Sequence, residues 1–191
     1  NSVMSELVSF KALTTQTWRD FEMLFGPKGA CGGCWCMNWR FYSSDFDKRK
    51  GNENKLAMHD LVKKNEVIGL MAYFGNSPAG WCAVAPREKY VRLQKSRVLR
   101  PVDGQHVWCI SCFFIAKPYR RKGLSLRLLN ATVAYAKKEG AKIIEAFPIE
   151  PTGDKMPDVF AWTGILSTFL AAGFLEVKRH SQARPIVRYY A

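Results

Sequence analysis

The chain sets four titratable side chains inside stretches that are otherwise apolar. Glu145 stands between Ile144 and Ala146 in KIIEAFP (142–148). A carboxylate there is expensive unless it is paired or put to work, so Glu145 is a candidate general base, with a buried hydrogen-bonded role as the alternative. His106 opens the run HVWCISCFFIA (106–116), and imidazole titrates in the range a base needs. At a strand end a histidine is more often plain surface. Cys109 and Cys112 lie in the same run. Each is a core thiol, or a nucleophile if a neighbour lowers its pKa.

That run is followed at once by KPYRRKGLS (117–125) and then by LRLLNATVAYAKK. A chain that leaves a strand and enters a helix through glycine presents backbone N–H groups with no partner inside the helix, and the helix dipole adds partial positive charge there. Gly123 leaves room for an anion to approach, and Ser125 suits the first turn. Arg120, Arg121 and Lys122 add full charges at the same point. The pattern has neither the spacing of a P-loop nor the three glycines of a dinucleotide fingerprint. Standing alone, it reads equally as a phosphate seat or a solvated basic turn.

Cys31, Cys34 and Cys36 form C-x2-C-x-C in the loop GPKGACGGCWCMNWR (26–40), a spacing that could begin a zinc site. The complement is poor. In a regular strand Cys109 and Cys112, three apart, point to opposite faces and cannot both close one tetrahedron. No metal is expected. With no export pattern in NSVMSELVSF, reduced thiols and a cytoplasmic location are expected. The same loop crowds Trp35, Trp39, Phe41 and Tyr42 into eight residues. Each is core by default, but together they suggest an aromatic wall for a cationic or flat substrate, with Trp35 and Trp39 as its first members.

Net charge is +13, divided as +2 over residues 1–86 and +11 over 87–191. The positive field therefore surrounds the basic turn and draws anions. No apolar segment approaches the ~20 residues of a membrane span, so a membrane partner is not expected. Arg87, Lys89, Arg92, Lys95, Arg97 and Arg100 around Tyr90 could track a nucleic-acid backbone, which keeps a basic nucleic-acid-binding domain as an alternative.

The elements that must hold these groups fit one domain over 1–191. Periodicity gives a strand near 7–12, helices over 17–25 and 52–64, and a hairpin at 68–74 and 79–85 around GNSP. The long strand 106–116, a helix over 125–138, the strand 142–148, a helix over 158–172 with Trp162 and Phe169 inward, and two closing strands complete it. The order is β-α-α-β-β-β-α-β-α-β-β, a mixed α/β domain whose central sheet is mostly antiparallel, with helices on both faces.

In that order, Ile115-x4-Arg120-x2-Gly123-x-Ser125 resembles the acetyl-CoA signature of the GNAT N-acetyltransferases, V-x4-Q/R-x2-G-x-G/A, with serine at the final position. The helix after the turn, the next strand, and a helix ending in Gly173-Phe174 also have counterparts in that family, and CGGCWCMNWR (31–40) resembles a bacterial-type subgroup. The resemblance implies that acetyl-CoA is the donor and cofactor. Its pyrophosphate would rest on the amides of Arg121, Lys122, Gly123, Leu124 and Ser125 beside Arg120, and its pantetheine would pair with the backbone at Phe113 and Ile115. It further implies direct attack by an amine-bearing acceptor in a ternary complex. Two positions depart from the family: Phe169 stands where a tyrosine acid is frequent, and Cys109 where some members carry glutamate. A CoA-binding module without catalysis is the corresponding alternative.

Overall fold

The computed structural model describes residues 7–151 and 163–191. Strand β1 (Val8–Ala12) is followed by three helices, α1 (Trp18–Phe25), α2 (Ser43–Lys48) and α3 (Asn52–Lys63). The hairpin of β2 (Gly69–Phe74) and β3 (Ser77–Pro86) leads through two short 3₁₀ turns, Arg87–Lys89 and Val91–Lys95, to β4 (Trp108–Ile115). After the basic turn come α4 (Leu124–Lys138), β5 (Ile143–Ala146), α5 (Leu166–Ala171), β6 (Leu175–Ser181) and β7 (Arg184–Tyr190). The order matches the expectation except for α2, whose six residues are too few for helical periodicity to register. The helix expected over 158–172 is corrected at its start: it begins at Leu166, because Gly164 takes φ 86 and Ile165 is extended and bridged to Ile149, while the part before residue 163, with Trp162, lies outside the described residues.

The strands form one sheet in the order β1-β2-β3-β4-β5-β7-β6. Every neighbouring pair is antiparallel except β4 and β5. Helix α4 covers one face because Leu124, Leu128, Leu129, Val133 and Ala136 recur at helical spacing and bury against Leu70, Val84, Ile110, Phe113 and Ile115. On the other face Trp18, Phe21 and Phe25 of α1 and Met58 and Val62 of α3 pack on Met71, Tyr73, Trp81 and Ala83. Gly26, at φ 68, ends α1 where the chain turns into the Gly- and Cys-rich loop.

Two irregularities in β4 position everything that follows. Its parallel pairing with β5 covers only Trp108↔Ile144, Cys109↔Glu145 and Ile110↔Ala146, so the strand continues to Ile115 with that edge unpaired by β5. Against β3, Cys112 opposes Ala83 while Ile110 opposes Val84, which makes Ser111 the extra residue of a β-bulge. The bulge shifts the two-residue alternation by one. Cys112 therefore packs with α1 and α3 and Cys109 with Tyr90, Leu93 and Leu99, both away from α4, while Ile110 and Phe113 face α4. The expectation that Cys109 and Cys112 point to opposite faces is corrected: it assumed a regular strand.

Candidate functional site

Where β4 parts from β5, a cleft of about 710 Å³ opens. One wall is the freed part of β4, from Cys112 to Ile115, with Arg120 and Ser125 at its end. The other is built by Phe25, Ala30, Cys31, Gly32, Cys34, Asn38, Phe46 and Lys50, and Thr168 and Phe169 of α5 lie at its side. Among the described residues no carboxylate and no histidine lines it, whereas Lys50 and Arg120 do. Its described lining therefore favours an anionic, partly apolar ligand.

The open end of the cleft is the basic turn. Lys117–Tyr119 form one 3₁₀ turn with Pro118 inside it, and Tyr119 packs on Phe74. Arg120 then folds its guanidinium back, Nε donating to the carbonyl of Ile115 at 2.8 Å. Arg121 (φ 60) and Gly123 (φ 74) both take left-handed backbone, curling the chain into the start of α4. For arginine that conformation costs about 1 kcal/mol or more. No side chain caps α4, and its first turn has no acidic residue. A Cβ added at Gly123 would meet nothing within 4 Å, so the glycine serves the turn's φ and the space above the helix start rather than internal packing. The Leu124 side chain is core, leaving only its backbone for a ligand. Lys122 lies over the Phe74 ring at 5.5 Å.

The residues read from the sequence as catalytic are placed as follows. Glu145 is buried, and both of its oxygens are taken: Arg188 Nε donates to Oε2 at 2.9 Å, and Arg87 Nη1 donates to Oε1 at 3.2 Å. Arg188 also holds Asp103 with two bonds, at 2.7 and 2.9 Å, and Arg87 donates to the carbonyl of Leu99 at 2.6 Å. This network joins β5 and β7 to the segments before β4. The Arg188 bonds hold the Asp103 carboxyl down at about 2, below its ordinary 3.8. His106 is exposed at the other end of β4 from the cleft, 3.2 Å from Glu88. Cys109 is fully buried against Glu145, and burial first and that charge second push its thiol up.

Trp35 and Trp39 do not line the cleft. Trp35 is core, stacked on Phe25 at 5.7 Å with Lys55 over its outer face, and Trp39 packs behind the loop with Arg92 over it. Phe41 and Tyr42 likewise lie under Arg49 and Lys95. The loop does reach the cleft, but through Cys31, Gly32, Cys34 and Asn38, residue types whose direction sequence does not give. Of the cations of 87–100, Arg87 is held on Glu145 and Arg92 on Asn38, while Lys89, Lys95, Arg97 and Arg100 are exposed, Lys95 lying over Tyr42 and Arg100 donating to the carbonyl of Arg97. Arg188 was missed, although a charge within the apolar strand PIVRYY is the same signal that singled out Glu145.

The cysteines also meet. All six are free thiols. Cys36 Sγ receives the buried indole N–H of Trp81 at 3.3 Å, and Cys112 belongs to the same buried cluster. Cys34 lines the cleft, and burial pushes its thiol up to about 11. Among the described residues no group of three or more His, Cys, Asp or Glu side chains is arranged to hold a metal ion.

Fold and cleft define a class: an α/β domain built on a splayed parallel strand pair, with an uncapped cationic helix start at the open end. Residues 35–156 match the acetyltransferase (GNAT) family, and the chain belongs to that family. Solved structures of the same fold include mosquito arylalkylamine N-acetyltransferase like 5b, with TM-score 0.60 and 11% identity over 96% of this chain and 100% of that one. A GNAT-family acetyltransferase from Streptococcus agalactiae gives 0.56 and 11%, over 96% and 95% of the two chains. The PaiA N-acetyltransferase of Thermoplasma acidophilum, solved in complex with coenzyme A, gives 0.54 and 11%, over 96% and 99%. No curated protein matches the chain. Among the described residues no helix is long and apolar enough to cross a membrane.

Proposed function

We propose that the protein transfers an acetyl group from acetyl-CoA to a primary amine, both held in the cleft as β4 leaves β5. The observation that carries this reading is the continuity of the cleft from Cys112 to Ser125: an unpaired strand edge runs directly into an uncapped, cationic helix start. The pyrophosphate takes the amides from Arg121 to Ser125, with Arg120, Arg121 and Lys122 supplying charge. Pantetheine pairs as an extra strand with the backbone of Phe113 and Ile115. The Thermoplasma protein of this fold was itself solved with coenzyme A.

The thioester then reaches the closed end of the splay, where a β4 backbone N–H near the bulge stabilises the oxyanion. The amine approaches along the wall of Cys31, Cys34, Asn38 and Phe46 and attacks the carbonyl carbon, expelling the CoA thiolate. Trp35 and Trp39 support that wall from behind. With Glu145 held between two guanidinium groups and His106 outside, the amine loses its proton to water at the cleft mouth. Six free thiols fit a reducing, cytoplasmic setting. Thiol release from acetyl-CoA, followed across a panel of primary amines, tests the reading. Amine-dependent release is expected; release that no amine stimulates removes the transferase activity and leaves a CoA-binding module.

A further inference from the structure

We propose that the acceptor is an amine carrying a carboxylate on an apolar body, and that Lys50 and the side-chain amide of Asn38 receive that carboxylate. This rests on the acetyl-transfer reading above and names the acceptor class for the same cleft.

The Asn38 amide is oriented from behind. Arg92 Nη1 donates to its Oδ1 at 2.6 Å and to the Asn38 carbonyl at 3.3 Å. A guanidinium only donates, so the side-chain atom it meets is the oxygen. The contact fixes which way the amide faces. It leaves Nδ2, with two N–H groups, without a partner among the described residues. Asn38 lines the cleft, so its side chain offers donors there.

Lys50 supplies the charge. It stands between α2 and α3, and the fold pins that segment to the Cys-rich loop. The Gly33 carbonyl accepts from the Gly51 N–H at 3.0 Å and from Nδ2 of buried Asn54 at 3.1 Å. The approach is so close that a Cβ on Gly33 would fall 2.3 Å from the Gly51 nitrogen. Lys50 is thereby held in the same wall as Cys31 and Cys34. Its ammonium meets Asp47 at 3.0 Å, but both side chains are more than half exposed, and such a pair contributes little. Asp47 does not line the cleft, and a carboxylate bound inside displaces it. The other cation of the described lining, Arg120, is fastened to the Ile115 carbonyl at the donor end.

The remainder of the acceptor wall is apolar. Phe25, braced edge-on by Phe114 at 5.6 Å, stands with Phe46 and the thiols of Cys31 and Cys34. That surface suits a hydrocarbon or aromatic body. An acceptor with several ammonium groups finds no carboxylate among the described lining residues and meets Lys50 with like charge.

The test measures kcat/KM for thiol release from acetyl-CoA by the full chain, with rates referred to the unprotonated amine. The probes are phenylalanine against phenethylamine, leucine against isopentylamine, and spermidine as a polycation. The acid member of each pair is expected to lead by about tenfold or more, as one charge-assisted contact provides, with spermidine the poorest. In Lys50→Gln and in Asn38→Ala that ratio should fall toward one, while the calorimetric affinity for acetyl-CoA holds. Equal turnover within the pairs, or a lead for spermidine, overturns the proposal and leaves acetyl transfer standing. A ratio that survives in both variants also overturns it. So does a Lys50→Gln chain that loses acetyl-CoA affinity with its ratio intact, which would assign the lysine to the donor. If acetyl-CoA binds and no amine releases thiol, the transferase reading and this one fall together.

Discussion

Arg120 Nε donates to the carbonyl of Ile115 at 2.8 Å, so the first arginine of the basic turn is fastened to the last residue of β4. A five-residue step thus links the strand edge that pantetheine would follow to the amides that would hold pyrophosphate. The arginine at this position fixes the turn as well as adding charge to it.

Replacing Arg120 by alanine removes that charge-assisted bond from the turn's hinge. Such bonds contribute about 1.5–3 kcal/mol, so affinity for acetyl-CoA is expected to fall roughly tenfold or more. The melting temperature should fall by a few degrees as well, because the bond is part-buried and already holds the turn in the free chain. Calorimetry on a variant with an unchanged far-UV spectrum checks this.

Gly123→Val separates strain from access. The space around a new Cβ is open in the free protein, so the cost to folding is the left-handed φ, about 1–2 kcal/mol. A branched side chain over the start of α4 is nevertheless expected to abolish acetyl-CoA binding. A folded variant with normal affinity would show that the phosphate does not sit there.

Glu145 should behave as a structural anion. Glu145→Ala takes from buried Arg188 one of its two carboxylates, leaving Asp103, and takes from Arg87 its carboxylate; breaking such a buried pair costs about 3 kcal/mol. Denaturant unfolding is expected to show that loss. Glu145→Gln keeps the shape and part of the hydrogen bonding, and should retain amine-dependent thiol release at reduced stability. Loss of turnover in a fully stable Glu145→Gln would instead assign it a proton-transfer role.

Asp103 links the same network to pH. Its carboxyl titrates at about 2 in the folded chain against 3.8 unperturbed, chiefly because Arg188 donates to it. The stabilisation is complete above the unfolded value and is lost as pH falls from 3.8 through about 2. Asp103→Asn should flatten the stability profile in that window alone, as chemical denaturation at stepped pH would show.

The parts of the fold that were legible in the sequence are those where one residue type answers one backbone demand. Gly123 and Gly173 mark left-handed positions, and the stripe Leu129, Val133 and Ala136 declares a buried helix face. The bulge at Ser111 was not legible, because an inserted residue in a buried strand leaves the apolar run unbroken. Its consequence was large: it sets Cys109 and Cys112 on one face and puts Cys112 in the buried cluster that holds Cys36. The loop aromatics misled for a related reason. Burial fixes the orientation of Trp35 and Trp39, and the cations over them, Lys55 and Arg92, come from other elements. Glu145 was correctly singled out as costly, but its partner Arg188 lies 43 residues away in sequence.

The central claim is that the gap between β4 and β5 and the basic turn form one acetyl-CoA site. Titrating the full chain with acetyl-CoA in a calorimeter, at low and at high salt, addresses it most directly. The account predicts saturable binding of one acetyl-CoA per chain, weakening as salt screens the phosphates and lost in Gly123→Val. Absence of binding at low salt, or binding that survives in folded Gly123→Val, would contradict it.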